Sequence, residues 1–143
     1  MSEDIRVLRE QLIEKVQKIR EAKVPILVLV EGWAAAGKGS LIKELISELD
    51  PRFYNVVSPA VIPESGMRYP FLYPYATAIP ENGKVMFLDS GWMESCVRKI
   101  LRHEITRPEY RRRVRQVNEF ERQLRDAGYI VLKLSLDIDR KEQ

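Results

Sequence analysis

The stretch VPILVLVEGWAAAGKGS, residues 24–40, joins a short apolar run to a glycine-rich loop, and it decides the fold. The run VPILVLV is continuous and rich in branched side chains, which is typical of a strand buried on both faces of a parallel sheet. The loop has the spacing G-x-x-x-x-G-K, with Gly32, Gly37 and Lys38 at the defined positions. Such a loop between a strand and a helix is predicted to bind phosphate, because its glycines let backbone N–H groups surround an anion and its lysine adds a full positive charge.

Helices and strands are predicted to alternate on both sides of this loop. Apolar residues spaced three or four apart predict a leading amphipathic helix within residues 1–22, and a second helix over residues 38–49 that stops at Asp50-Pro51. The remaining predicted elements are strands over residues 53–61, 85–88 and 129–136, a proline-rich connection over residues 62–84 with at most one short helix, and helices over residues 92–103 and 109–127. This alternation favours a single α/β domain over residues 1–143, with a parallel sheet flanked by helices.

The composition narrows the class of protein. The chain has 143 residues, of which 45% are hydrophobic and 31% are charged, so it is long enough to bury a core. It shows no apolar run of roughly eighteen residues and no charged leader followed by an apolar stretch, and we therefore expect a cytoplasmic protein without a membrane partner. Cys96 and His103 are the only residues of their types, which excludes an internal disulfide and a Cys/His zinc cluster.

Positive charge is concentrated in one region. The net charge is only +3, but Lys and Arg clearly outnumber Asp and Glu between Arg98 and Arg125. The arginines expected on the outer faces of the two helices in this region are Arg98, Arg102, Arg111, Arg115, Arg122 and Arg125. A basic face attracts any polyanion, so nucleic acid, nucleotides and inorganic phosphate chains are all candidate partners, and a merely solvated helix face is the alternative.

The stretch VMFLD, residues 85–89, is the second element that usually accompanies a phosphate-binding loop. It is an apolar strand that ends in an aspartate, so Asp89 is the candidate ligand of Mg²⁺ or of its bound water. The alternative is a strand-end turn residue that binds nothing. Gly39 stands where a magnesium-binding Ser or Thr usually follows the lysine, and Ser40 comes one residue later, so we expect magnesium to be held differently here.

Four stretches in the same order resemble the polyphosphate kinase 2 family, whose members move phosphate between inorganic polyphosphate and nucleotides with magnesium. EGWAAAGKGS resembles the family's EGWDAAGKG loop, and LISELDPRFYNVVSPA resembles its helix, LDPR turn and second strand. A third stretch, PFLYPYATAIPENGKVMFLDSGW, is similar to the family's PFLWRFW segment followed by a strand ending in DRSWY. A fourth, NEFERQLRDAGYIVLKLSLDI, is similar to the family's N-x-FE-x-x-L, glycine and LLKFWLHI stretch. Together they cover about residues 24–139 and imply a P-loop kinase-like α/β fold.

The resemblance implies a role for each candidate residue. It gives catalysis to Lys38 and Asp89 and magnesium binding to Asp89. It implies phosphate binding by Gly32, Gly37, Lys38, Gly39 and Ser40. Basic residues of the family's lid and polyphosphate channel correspond here to Arg98, Arg102, Arg111, Arg115, Arg122 and Lys133, and for Lys133 a side chain that only extends to solvent is the alternative. The implied partners are inorganic polyphosphate, an ADP- or AMP-type nucleotide and a second copy of the chain, rather than nucleic acid.

Departures from the family pattern concern the catalytic positions. In the family loop an aspartate that acts in catalysis and metal binding follows the tryptophan, and Ala34 stands there in this chain. Ser90 replaces the arginine after the strand-end aspartate, while Gly91 and Met93 replace a serine and a tyrosine. The chain also stops soon after the fourth predicted strand, whereas the family's domains continue through further helices, so we expect a partial or shortened domain.

Two functions follow as hypotheses. The first is a magnesium-dependent phosphotransferase acting between inorganic polyphosphate and a nucleoside mono- or diphosphate, which the preserved glycines, Lys38 and Asp89 favour. The second is a non-catalytic phosphate-binding or structural domain that supports an active copy elsewhere, which Ala34 and Ser90 favour. A nucleic-acid binder that uses the arginine face is a third and less favoured interpretation.

Overall fold

The computed structural model describes residues 2–58 and 70–139, and the predicted alternation of strands and helices is present over these residues. In chain order the elements are α1 (Ser2–Glu21), β1 (Ile26–Gly32), α2 (Lys38–Ile46), a 3₁₀ helix (Pro51–Phe53), β2 (Tyr54–Val57), α3 (Tyr73–Ala76), β3 (Val85–Asp89), α4 (Trp92–Leu101), α5 (Arg107–Asp126) and β4 (Ile130–Leu136). The predicted order of elements is therefore confirmed.

The four strands form one parallel sheet in the order β2-β3-β1-β4. Strand β1 lies inside the sheet, where Ile26 is level with Val85 of β3 and with Ile130 of β4. Parallel neighbours require long crossover connections, and helices lie in these connections. The predicted α/β class with a parallel sheet is confirmed, and the carboxyl ends of all four strands lie at one edge.

Helices cover both faces of the sheet. Alternate residues of β1 face opposite sides, so Val28 packs in one core cluster with Ile42 of α2, and Leu29 packs in the other with Val117 of α5. Trp92, at the start of α4, is fully buried in this second cluster. Cys96 is also fully buried, and its thiol is free.

The two long helices, α1 and α5, each contain 20 residues. The Thr106 hydroxyl caps α5 by accepting a hydrogen bond from the Glu109 backbone N–H at 3.3 Å, and Gly128 follows the helix with a φ of 92°. The predicted end of α5 near Gly128 is thus confirmed. Among the helices that the structure describes, none is both long enough and apolar enough to cross a membrane.

Strand β2 is shorter than predicted. It begins at Tyr54, because Phe53 belongs to the 3₁₀ helix that starts at Pro51. This helix is capped by the Asp50 carboxylate, which accepts a hydrogen bond from the Arg52 backbone N–H at 3.0 Å. Placing Phe53 in a strand was therefore wrong. The predicted end of β2 at residues 59–61 lies outside the described residues.

Candidate functional site

The loop between β1 and α2, residues 32–38, is called the glycine loop from here on. Gly32 has a φ of 154°, and a Cβ atom at this position would lie 2.4 Å from the Leu136 carbonyl oxygen at the end of β4. Gly37 has a φ of 86° and directly precedes α2. Both predicted glycine positions therefore have a steric reason, because Gly32 allows a close backbone approach and Gly37 adopts the left-handed conformation.

Lys38 folds back over the glycine loop. Its ammonium group donates hydrogen bonds to the carbonyl oxygens of Gly32 at 2.8 Å and of Trp33 at 3.3 Å. It also forms an ion pair with the Glu94 carboxylate, with 3.3 Å between Nζ and Oε1. The side chains of Lys38 and Glu94 are only 11% and 12% exposed, so this charge pair is largely shielded from water.

Two carboxylates connect β1 with the start of α4. Glu31 Oε1 accepts hydrogen bonds from the backbone N–H groups of Met93 at 3.2 Å and of Glu94 at 3.3 Å. In the opposite direction, Glu94 Oε2 accepts a hydrogen bond from the Gly32 N–H at 3.3 Å. Gly91 makes the first contact feasible, because a Cβ atom there would lie 2.3 Å from Glu31 Oε1. Each element thus supplies a carboxylate to backbone donors of the other.

The sequence analysis missed both Glu31 and Glu94. A signal for Glu31 was available, since it is the only charged residue of the otherwise apolar strand β1. A weaker signal for Glu94 was its place in the first turn of α4, where an acidic residue is favoured by the unpaired N–H groups of a helix. Nothing in the local pattern indicated that either carboxylate lies at the glycine loop.

The Glu31 carboxyl is electrostatically perturbed. Burial raises its pKa above the ordinary value, and the backbone N–H groups of Glu94 and Met93 oppose this effect by stabilising the charged form. The negative charge of Glu94 raises the Glu31 pKa further, while the positive charge of Lys133 lowers it. The Glu31 carboxyl thus responds to charges from both α4 and β4.

Asp89 ends β3 at the same edge of the sheet as the glycine loop. It is level with Val30 of β1, and the following Ser90 has a φ of 76° and donates its N–H to the Val30 carbonyl oxygen at 3.0 Å. Within the described residues, the half-buried Asp89 carboxylate has no hydrogen-bond or ion-pair partner.

The donor set around Asp89 suits magnesium only if phosphate completes it. No three His, Cys, Asp or Glu side chains of the described residues are grouped so that they could hold a metal ion. Mg²⁺ is commonly held by one or two carboxylates together with substrate phosphates and water, so the single Asp89 carboxylate fits this mode. Ser40 is exposed in the first turn of α2, and Ala34 is exposed on the loop without a metal-binding group.

The predicted polyanion-binding arginines fall into two groups. Arg111 and Arg115 are exposed on α5, and Arg102 follows the end of α4; none of the three has a side-chain partner among the described residues. By contrast, Arg98 pairs with Glu94, and Arg122 pairs with Glu119 and Asp126. The charges of Arg98 and Arg122 are therefore already partly neutralised by carboxylates on their own helices.

Lys133 lies in β4 and also has a carboxylate partner. Its ammonium group pairs with the buried Glu121 carboxylate of α5 at 2.9 Å, and Glu121 Oε1 accepts a hydrogen bond from the Trp92 indole N–H at 2.9 Å. Glu121 thus connects α4, α5 and β4. Lys133 nevertheless remains 47% exposed, so it has an electrostatic partner and contact with solvent at the same time.

Comparisons with known proteins agree with this architecture. A polyphosphate:AMP phosphotransferase of Pseudomonas syringae pv. tomato is 31% identical over 118 residues, which are 82% of this chain and 24% of that protein. An AMP/ADP-polyphosphate phosphotransferase of Meiothermus ruber is 27% identical over 143 residues, which are 99% of this chain and 53% of that protein. The chain therefore spans between about a quarter and about half of the length of these relatives.

A solved structure supports the fold independently. The crystal structure of polyphosphate kinase 2 from Arthrobacter aurescens TC1 superposes with a TM-score of 0.86 at 21% identity, over 93% of this chain and 49% of that one. The sequence profile of the family described as Polyphosphate kinase 2 matches residues 1–143. This chain belongs to the polyphosphate kinase 2 family.

Proposed function

We propose that this chain is a phosphotransferase domain that moves phosphate between inorganic polyphosphate and a nucleoside mono- or diphosphate. One observation carries the proposal: the Gly32 N–H and the Lys38 ammonium group converge on a single anion, which is the Glu94 carboxylate. Donors that hold a carboxylate in this way suit a phosphate oxygen equally well, because both ligands are anionic oxygen acceptors. The activities of the relatives point to the same chemistry.

In this proposal the glycine loop and α2 bind the phosphates. Lys38 contributes a full positive charge, and Gly32 and Gly37 contribute backbone donors. Gly39 and Ser40 lie in the first turn of α2, where backbone N–H groups have no acceptor within the helix. These groups stabilise negative charge on the transferred phosphate, which is the main requirement for phosphoryl transfer.

Asp89 is proposed to hold Mg²⁺ together with phosphate oxygens. The chemistry supplied by an ion held at Asp89 would be neutralisation of the negative charge of the phosphate groups. The long polyanion is proposed to contact the arginines that have no carboxylate partner among the described residues, namely Arg102, Arg111 and Arg115. Arg98, Arg122 and Lys133 remain in the proposed surface, but each must share its charge with the carboxylate that it already pairs with.

A non-catalytic phosphate-binding domain is the second candidate function. Ala34 and Ser90 favour it, because the family carries an aspartate and an arginine at these positions. Loss of one electrostatic group typically lowers a rate by about 10²- to 10³-fold, so the loss of two would leave little turnover while the glycine loop still binds phosphate. The two candidates therefore differ in rate rather than in binding.

A coupled assay with polyphosphate, magnesium and ADP or AMP tests the first candidate. We expect turnover that falls by at least about 10²-fold in Lys38→Ala, because the positive charge that stabilises the transferred phosphate is lost. Lys43→Ala is the matched control, since Lys43 is an exposed lysine of the same helix and should leave the rate unchanged. Equal and measurable turnover in Lys38→Ala and in the unaltered chain would show that the glycine loop is not the site.

Restoring the two missing groups tests the second candidate. If the substitutions at residues 34 and 90 limit the rate, Ala34→Asp combined with Ser90→Arg should raise turnover by about 10²-fold or more. Polyphosphate binding, measured by calorimetry on the same samples, should change much less. An unchanged rate with intact binding would contradict our account of these two positions.

A further inference from the structure

Glu94 occupies the donors of the glycine loop that a phosphate group would need. Its Oε2 accepts the Gly32 N–H at 3.3 Å and its Oε1 faces the Lys38 ammonium group, also at 3.3 Å. We propose that Glu94 is an internal competitor for phosphate, which must leave the loop before a phosphate chain can bind there. This inference rests on the proposed phosphate-binding function of the loop.

The contacts of Glu94 with the loop are long enough to be replaced. Hydrogen bonds between an ammonium group and a carboxylate are usually about 2.7–2.9 Å long, so the 3.3 Å separation is looser than the optimum. Glu94 also belongs to α4 rather than to the loop, so a rotation of its side chain releases both donors without moving the loop backbone. A phosphate group with several anionic oxygens can then take up the same two donors.

Arg98 provides the released carboxylate with a partner. It lies one turn after Glu94 on α4 and already pairs with Glu94 Oε1. The Arg98 side chain is 43% exposed, so the pair can move toward solvent while remaining paired. The nearby Glu31 carboxylate favours the same movement, because two like charges at the loop repel one another.

The Glu94 carboxylate neutralises positive charge in the glycine loop. With Glu94 in place, the positive charge of Lys38 is balanced before any ligand arrives, which lowers the affinity of the loop for every phosphate ligand. Glu94 is thus a positioning residue, since it holds Lys38 over the loop and sets the free energy that phosphate binding must overcome. Removal of its charge should therefore strengthen phosphate binding.

Calorimetric titration with inorganic polyphosphate tests this competition. Glu94→Gln keeps the size of the side chain but removes the charge, and Glu94→Ala removes the contacts altogether. We expect the Kd for polyphosphate to fall by about tenfold in both variants, since hydrogen bonds to charged groups are the ones displaced. Glu81→Gln is the matched control, because exposed Glu81 precedes β3 and lies at the opposite edge of the sheet from the loop.

The outcomes separate this inference from the proposed function. Binding that depends on Lys38 but is not tightened in either Glu94 variant overturns the competition and leaves the phosphate-binding loop in place. Absence of Lys38-dependent binding in the unaltered chain and in both Glu94 variants overturns the proposed function and the inference together. Thermal unfolding of each variant ensures that only folded protein is compared.

A double-mutant cycle tests the part played by Arg98. Arg98→Met should raise the Kd for polyphosphate when Glu94 is present, because the released carboxylate then has no partner. In the Glu94→Ala background the same substitution should have a clearly smaller effect. Equal effects in the two backgrounds would mean that Arg98 acts on the phosphate chain alone, and its role as the partner of the released carboxylate would be wrong.

Discussion

Individual charged residues, rather than the glycines alone, define the candidate site. Glu31 stands on a buried strand and uses its carboxylate to accept two N–H groups at the start of α4. These hydrogen bonds offset only part of the cost of burying the charge, because burial remains the largest influence on the Glu31 pKa. Glu31 therefore connects β1 with α4, but its carboxylate is less stable in the charged form than it would be in water.

The raised pKa of Glu31 predicts a specific dependence of stability on pH. The folded state binds the Glu31 proton more tightly than the unfolded state, so this carboxyl lowers the free energy of unfolding as pH rises from the ordinary pKa of 4.5 through the raised value. In Glu31→Gln that decline should be absent, while the amide oxygen can still accept the two N–H groups. Urea unfolding of both proteins between pH 4 and 8, a range of about four units around this window, measures the difference. If the free energy of unfolding varied with pH in the same way in both proteins, the prediction would be contradicted.

Gly91 is predicted to be necessary for the approach of Glu31. In Gly91→Ala the new Cβ atom would lie 2.3 Å from Glu31 Oε1 and 2.7 Å from Leu29 Cδ2, so the carboxylate must move away from the start of α4. We expect a loss of about 1–3 kcal/mol in the free energy of unfolding, which is typical of overpacking. Gly39→Ala is the matched control, because a Cβ there has open space within α2 and should be neutral or stabilising by up to about 1 kcal/mol. Equal effects of the two substitutions in chemical denaturation would refute this steric explanation.

Among the elements, α5 contacts the sheet through a buried carboxylate as well as through apolar side chains. Glu121 accepts a hydrogen bond from Trp92 of α4 and pairs with Lys133 of β4, so a single residue connects three elements. This arrangement explains why α5 carries a charged residue on its buried face. It also identifies the carboxylate partner of Lys133.

Removal of Glu121 should cost more than removal of Lys133. Glu121→Ala leaves the buried indole N–H without its acceptor and Lys133 without its partner, for which we expect a loss of about 3 kcal/mol. Lys133→Ala should cost roughly 1 kcal/mol, because that side chain is half-exposed and Glu121 keeps its hydrogen bond to Trp92. Thermal or urea unfolding of the two variants provides the comparison. A larger loss for Lys133→Ala would mean that the ion pair, and not the indole hydrogen bond, connects the elements.

The long elements were predictable because their signals are local and repeated. Helices α1 and α5 carry many apolar residues at helical spacing, and their bounds differ from prediction by one or two residues. Phe53 was misplaced because the Asp50 cap and Pro51 create a 3₁₀ helix in which a strand-forming residue takes part. The Asp50 cap and the proline together therefore outweighed the strand preference of one aromatic residue.

Across the whole molecule, the positive charge is distributed unevenly between paired and unpaired arginines. Arg111 and Arg115 lie one turn apart on the exposed face of α5 without side-chain partners among the described residues. Arg122 lies further along the same helix and is paired with two carboxylates. A phosphate chain longer than the glycine loop itself would therefore gain most from the first two arginines.

This distribution predicts an effect that depends on ligand length. Arg111→Ala and Arg115→Ala should each weaken the binding of long polyphosphate by roughly two- to fivefold, as expected for exposed charges, and should leave pyrophosphate binding unchanged. Arg122→Ala should have a smaller effect, because its charge is already shared with Glu119 and Asp126. Titrations with both ligands at two salt concentrations provide the measurement, since exposed charges are screened by salt. Equal weakening for pyrophosphate would place these arginines at the loop instead.

Local sequence patterns were sufficient for the order of the elements, the parallel sheet, the glycine loop and the position of Asp89 at a strand end. These features depend on the periodicity of apolar residues and on the spacing of glycines, both of which can be read within short windows of the sequence. The contact of Glu94 with Gly32 and Lys38 could not be predicted from such windows. It joins residues 62 and 56 positions apart and exists because the strand order places β3 beside β1, so that α4 starts next to the glycine loop. Which charges are neutralised is therefore decided by the packing of the sheet, because proximity in three dimensions leaves no local trace in the sequence.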